Sequence, residues 1–211
     1  MSYRLGATWR TDDMMSEPTL EAITKRLFSE ARSFGGWLPQ TLSPETLLQL
    51  YSLAQWGPTS MNSQPMRLKF AQSDSSRKKL STCVDAGNVG KVLSAPVVAI
   101  IGMDLNFPET LTELFPHKAE AKNYYIGNAE KTFATALRNS SLQGAYLMLA
   151  ARLLGLDCGP MSGFDHAAVD QAFWSGSAVK TNFLCALGYG DHASLKPRGK
   201  RYRFEEIAEI L

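Results

Sequence analysis

Four separated segments carry polar or cationic residues where a packed core has no use for them. They are Pro58-Thr59-Ser60-Met61-Asn62-Ser63-Gln64-Pro65, Asn88 with Lys91, Pro160-Met161-Ser162-Gly163-Phe164-Asp165, and Lys196-Pro197-Arg198. Their shared chemistry is the holding of an anionic, hydrogen-bonding ligand. Arg and Lys pair with phosphate or carboxylate oxygens, Arg through a planar fork. Asn carboxamides both donate and accept, which suits a ligand edge lined with N–H and C=O groups. Each segment also has a plainer use. Pro58–Pro65 reads as a helix-to-strand turn, and Asn88 with Lys91 as a solvated helix face. Pro160–Asp165 reads as a loop with an Asp cap, and Lys196–Arg198 as a solvated tail.

Other chemistries lack their patterns. His117, His166 and His192 are far apart, and none has a metal-ligating companion four residues on, so no metal site is expected. There is no G-x-S-x-G elbow, no G-x-x-x-x-G-K-[ST] loop and no G-x-G-x-x-G after a strand. This argues against an α/β-hydrolase, a P-loop enzyme and a standard Rossmann dehydrogenase. Cys83, Cys158 and Cys185 form no C-x-x-C pair and are odd in number. They read as reduced, inert thiols, which points to a cytoplasmic protein. The formal net charge of +2 gives no reason to expect a nucleic-acid or membrane partner. Lys196, Arg198, Lys200, Arg201 and Arg203 form a basic run, but no basic surface elsewhere supports it.

The elements that must position these residues fit one α+β domain over residues 19–211, with residues 1–18 as a flexible arm. From Thr19 the apolar spacing is helical until Gly35-Gly36. Ser43-Pro44-Glu45 starts a second helix, which Gly57-Pro58 ends. Arg67 to Phe70 alternates as a half-buried strand, and a short helix is expected near 76–84. A further helical turn spans Asn88 to Ser94. The apolar run Pro96 to Met103 reads as a central strand. Residues 104–127 read as irregular, with a short helix near 109–114. Asn128 to Leu154 is the longest helix, stopped by Gly155, and its apolar stretch is interrupted by Gln143 and Arg152. Pro160 to Gly163 is read as a loop, Asp165 as a cap and Asn182 to Leu187 as a buried strand. Phe204 to Leu211 reads as a short strand or helix reaching a partner subunit.

Taken together, the four segments resemble the nitroreductase family in chain order. Pro58–Pro65 resembles its P-S-S-x-N-x-Q-P segment, and Asn88-Val89-Gly90-Lys91 before Ala95-Pro96 its N-x-x-K element. Gly155-Leu156-Asp157 and Pro160–Asp165 resemble its G-L-D and P-x-x-G-F-D pair. Gly188-Tyr189-Gly190 with Lys196-Pro197-Arg198 resembles its closing G-Y and K-x-R. The resemblance implies FMN at a homodimer interface, a small mostly antiparallel sheet flanked by helices, and NADH or NADPH as hydride donor. It places Lys196 and Arg198 at the phosphate, with Arg32 and Ser33 near the family's R-x-S-x-R start. Arg32 is one place off and Gly35 replaces the second base, so an altered phosphate grip is expected. It places Pro58, Thr59, Ser60, Asn62 and Asn88 around the flavin, and Asn139 at a further flavin-facing position. Lys91 falls near the ring's charge-gathering edge, where a cation about 4 Å away is worth roughly 4 kcal/mol at an effective dielectric near 20, before desolvation. Pro160, Met161, Ser162 and Gly163 complete the set, and Ser162 stands where the family often has Glu. No side chain is expected to act as a dedicated acid or base.

A narrower resemblance, to malonic semialdehyde reductases (3-hydroxypropanoate dehydrogenases) of pyrimidine degradation, rests on four stretches. These are Leu114-Phe115-Pro116-His117, Arg138-Asn139-Ser140-Ser141, Gly159–Asp165, and Gly176-Ser177 with Lys180 and Asn182. It implies ping-pong hydride transfer to a small aldehyde, quinone or nitro compound, with Arg138 or Arg67 binding a substrate carboxylate. The alternative is a flavin-binding protein without turnover.

Overall fold

The central strand decides the architecture. A computed structural model describes residues 19–211; the arm expected at residues 1–18 lies outside the described residues. Strand β2, Val97–Asp104, is buried through its first seven residues. A run buried on both faces must be apolar throughout, which is why it reads as continuous rather than alternating. It lies between β1 (Met66–Ala71) and β4 (Val179–Gly188), and β3 (Asp157–Met161) closes the far edge in the order β1-β2-β4-β3. All three pairings are antiparallel.

Side chains alternate along a strand, so odd and even residues of β2 feed separate cores. Val97, Ala99 and Ile101 pack with Leu47, Leu50 and Leu147, beneath α2 (Pro44–Ala54) and α6 (Ala129–Leu153). Val98 and Ile100 pack with Leu80, Val92 and Val169, from α3 (Asp74–Ser81), α4 (Ala86–Ser94) and α7 (His166–Phe173). The result is a small sheet with helices on both faces, an α+β architecture. Two short helices, α1 (Leu20–Thr24) and α5 (Leu111–Leu114), precede α6, and a one-turn α8 (Phe204–Ile207) lies in the exposed tail.

Local signals set the helix ends. Ser43 Oγ accepts from Thr46 N–H at 3.2 Å and starts α2; Asp165 Oδ1 accepts from Ala168 N–H at 3.0 Å and starts α7. Gly155, at φ +87°, follows α6 as the expected stop. Four expectations need correction. The first helix is short: α1 passes into a π-turn over Lys25–Ser29 and ends there, freeing Ser33 to bridge Cys158 of β3. The helix expected near 76–84 begins at Asp74, where Ser73 caps it. Residues 104–127 are mostly helical turns, with 3₁₀ stretches at Phe107–Thr110 and Pro116–Tyr124 around α5. Pro160 and Met161 belong to β3, an edge strand, where a proline that cannot donate is tolerated.

All three cysteines are free and buried. The neighbouring Cys158 thiol and complete burial push Cys185 well up from the usual thiol range, which keeps it protonated and unreactive.

Candidate functional site

Three clusters of polar residues emerge. The first is a cationic cavity of about 400 Å³ lined by Arg32, Ser33, Arg152, Arg198 and Arg201, with Leu27, Phe28, Ala31 and Gly199. Two crossed tethers hold it. Arg32 donates to the carbonyl of Lys196, and Arg198 donates to the carbonyl of Ala31 at 3.1 Å. The floor is fixed to the sheet, since Phe34 N–H donates to Cys158 C=O at 3.0 Å. Arg152 reaches in from the last turn of α6 and donates to Leu27 C=O at 2.9 Å. Four guanidinium groups around one small space have the chemistry to pair with oxyanions.

The second cluster lies around the start of α4. Asn88 and Lys91, three apart on α4, share a face. Asn88 Nδ2 donates to Gly163 C=O at 2.8 Å, and Asp85 N–H donates to the same oxygen at 3.1 Å. This fixes the segment after β3 against the start of α4. A Cβ on Gly163 would sit 2.6 Å from Asp85 Oδ2 and 2.9 Å from Asn88 Nδ2, so a larger residue there would push these two side chains aside. The Lys91 side chain runs past Gly35, where a Cβ would lie 3.2 Å from Lys91 Cε. Gly35 thus leaves room for this lysine. Met161 is buried, while Pro160 and Ser162 are exposed at the rim.

The third cluster is the Pro58–Pro65 loop, which leads into β1 at the opposite edge of the sheet. Met61, Asn62 and Gln64 have φ of 53°, 49° and 39°. Asn tolerates the left-handed region; Met and Gln rarely enter it, at about 1–3 kcal/mol each. Such strain persists only where surrounding bonds over-determine it. Here Ser60 N–H donates to Asn139 Oδ1 at 2.8 Å, Gln64 N–H to Thr59 Oγ1 at 3.2 Å, and Gln64 Nε2 to Asn62 Oδ1 at 2.9 Å. Asn62 Nδ2 donates to Leu114 C=O at 3.0 Å, tying the loop to α5.

The structure thus gathers Arg32, Ser33 and Arg198 in one cavity, and joins Asn88 to Gly163 in a second group with Lys91, Met161 and Ser162 nearby in the chain. Pro58, Thr59, Ser60 and Asn62 form a separate group with Asn139. Three residues take positions that sequence reasoning did not assign. Lys196 contributes its carbonyl to Arg32, and the cavity lining takes Arg198, Gly199 and Arg201 from the tail. Asn139 is 1% exposed and bonds Ser60 N–H and Thr135 C=O, so it anchors the loop from within. Arg67 is engaged with Asp104 and two backbone carbonyls, which takes it from the substrate-carboxylate role. Arg152 and Gln143 went unassigned although they interrupt an apolar helix. That interruption was the available signal: Gln143 Oε1 accepts from Met66 N–H at 3.0 Å, and Arg152 lines the cavity. Arg201 was visible only as part of the basic run.

Removing the Asn139 carboxamide leaves the part-buried Ser60 N–H without its partner, while the Thr135 carbonyl keeps its bond within α6. Asn139→Ala is expected to lower stability by about 1–3 kcal/mol, checked by urea denaturation. A midpoint equal to that of the parent chain would deny the anchoring role.

Among the described residues, no group of His, Cys, Asp and Glu is arranged to hold a metal ion, and no helix is long and apolar enough to cross a membrane.

Comparisons with known proteins identify the family and the fold. The pattern of the Nitroreductase family matches residues 32–190. A protein of Polynucleobacter asymbioticus named "Putative NADH dehydrogenase/NAD(P)H nitroreductase" is 50% identical over 191 residues, covering 90% of this chain and 97% of the relative. Among solved structures, a Bacillus subtilis protein described as a "putative nitroreductase" superposes with a TM-score of 0.83 at 22% identity, covering 90% of this chain and all of the other. A similarly described protein of Exiguobacterium sibiricum, solved in complex with FMN, gives 0.78 at 21% identity, covering 92% and 98%. These two likenesses establish the shared fold. With the family pattern running from the floor of the cationic cavity to the end of the sheet, and half the residues of a near-full-length relative identical, the chain belongs to the nitroreductase family.

Proposed function

We propose that this chain is an FMN-dependent NAD(P)H oxidoreductase that works as a cytoplasmic homodimer. One observation carries the reading: Arg32, Ser33, Arg152, Arg198 and Arg201, drawn from both ends of the described chain, line one cavity. A phosphomonoester brings nearly two negative charges and three acceptor oxygens, which this donor set matches. When bound, FMN supplies hydride transfer, accepting from NADH or NADPH and passing to a small acceptor in ping-pong order. Arg32, Ser33, Arg198 and Arg201 would hold its phosphate. Lys91, whose side chain runs past Gly35, would place a cation where a reduced ring gathers negative charge. Gly163, pinned by Asn88, would present backbone at the ring's edge beside Ser162. No side chain is arranged as a dedicated acid or base, so a proton for an aldehyde acceptor would come from water or a nearby hydroxyl.

The homodimer follows from the separation of the clusters. The cavity is floored on β3, whereas Pro58–Asn62 leads into β1 across three strand spacings of about 4.8 Å. The loop of a second copy would complete the site. Exposed Leu48 and Tyr51 on α2, Trp56 just after it, Leu142 and Tyr146 on α6, and Tyr202, Phe204, Ile207 and Ile210 in the tail supply apolar surface for that contact. Three free thiols suit a reducing compartment. Malonic semialdehyde is the acceptor favoured by the narrower resemblance, with quinones and nitro compounds as further candidates. Arg138, exposed on α6, is the remaining candidate for its carboxylate.

Freshly purified protein should be yellow with a flavin spectrum, and anaerobic NADH or NADPH should bleach it. Turnover with malonic semialdehyde, a quinone or a nitroaromatic then ranks the acceptors. A colourless protein that takes up no FMN would refute the reading. A yellow protein that neither nucleotide bleaches would support flavin binding without turnover. A micromolar monomer that still holds FMN would overturn the interface.

A further inference from the structure

We infer that Arg67 is a positioning residue that locks the backbone of the Pro58–Pro65 loop in its left-handed form, with Asp104 holding the arginine in place. The inference rests on the reading of that loop as part of the flavin site.

Its basis is a closed set of bonds. Arg67 Nη1 donates to Gln64 C=O and to Met66 C=O, each at 3.0 Å. Its Nη2 donates to Asp104 Oδ2 at 2.7 Å, and the Asp104 carboxylate is mostly buried. Asp104 in turn is fixed from both sides. Its N–H donates to Pro65 C=O at 2.8 Å, and its Oδ1 accepts from Asn106 N–H at 2.9 Å. The carbonyl that Arg67 grips belongs to Gln64, one of the two left-handed residues that pay most for their conformation. A planar fork can hold the Gln64 and Met66 carbonyl oxygens and a carboxylate at once, whereas a lysine ammonium lacks that fixed geometry.

The other anchors reach different points of the loop. Asn139 holds Ser60, Gln143 holds Met66 and Asn62 reaches Leu114. Only Arg67, among the side chains bonded to this loop from outside it, grips the Gln64 carbonyl among the described residues. Losing it would let Gln64 relax toward ordinary backbone angles and turn Asn62 out of line, while the sheet behind the loop stays paired. That predicts a local effect: the loop loosens and the bound flavin's surroundings change, beyond what lost stability alone produces.

The test compares Arg67→Met, Arg67→Lys and Asp104→Asn with a remote core variant, Leu80→Ala. Amide exchange is read at Ser60, Asn62 and Gln64 in the FMN-free protein, and the visible absorption and circular dichroism of FMN in the saturated protein. Arg67→Met should speed exchange at Asn62 and Gln64 on the order of 10- to 100-fold and shift the flavin bands. Arg67→Lys should fail to restore either, and Asp104→Asn should give the same changes at smaller size. Leu80→Ala should lower the melting temperature and leave the flavin bands alone. Unchanged exchange at Asn62 and Gln64 in Arg67→Met would overturn the inference, as would full rescue by lysine. If Arg67→Met does not fold, Asp104→Asn decides by the same criteria. If the parent chain takes up no FMN, the functional reading falls and the exchange measurement still decides the role of Arg67.

Discussion

Arg198→Ala is expected to weaken FMN binding on the order of 10- to 100-fold, measured by the return of flavin fluorescence as the loaded protein is diluted. A charge-assisted hydrogen bond is worth about 1.5–3 kcal/mol, which sets that range. Arg198 also ties the tail to the Ala31 carbonyl, so its loss frees one wall of the cavity as well as one cation. The fold should survive, because residues 196–211 are exposed and lie outside the buried clusters. The melting temperature of the FMN-free protein should therefore hardly move. Because Arg198 is exposed, the loss should shrink as salt screens the site. Affinity equal to that of the parent chain at low salt would remove Arg198 from the phosphate site, and with it the assignment of this cavity.

That cavity shows which parts of the molecule were legible in the sequence. β2 was, because double-faced burial writes an unbroken apolar run. The start of α2, the start of α7 and the stop after α6 were also legible, because a cap is a local bargain between one side chain and its own turn. β3 was not: Asp157-Cys158-Gly159-Pro160-Met161 carries no strand composition, and it is a strand because β4 offers it an edge. The proposed site could be nominated as a set of residues but not as a place. Arg152 and Arg198 meet because α6 ends beside the point where the tail crosses residues 31–33, a fact of topology that no spacing encodes. Asn139 was assigned to the flavin through its resemblance to a family position, and its bond to the Ser60 N–H could not be read from the sequence.

The floor of the cavity depends on a single hydrogen atom at Gly159. A Cβ there would lie 2.4 Å from the Phe34 carbonyl oxygen and 3.1 Å from Trp37 Cζ2. The first is backbone and cannot rotate aside, so residues 33–37 must lift away from β3. Lifting them strains the Phe34 N–H bond to Cys158 and the Ser33 bridge, and carries Arg32 and Ser33 out of the cavity. Gly159→Ala should therefore cost about 1–3 kcal/mol of stability, as overpacked positions do, and should lower FMN affinity as well. Gly90→Ala provides the contrast. Nothing lies within 4 Å of a Cβ at that helical position, so alanine there should stabilise the fold by about 0.5–1 kcal/mol. Urea midpoints of the two variants should move in opposite directions. Should Gly159→Ala keep both the midpoint and the FMN affinity of the parent chain, the contact between residues 33–37 and β3 would not be what shapes the phosphate cavity.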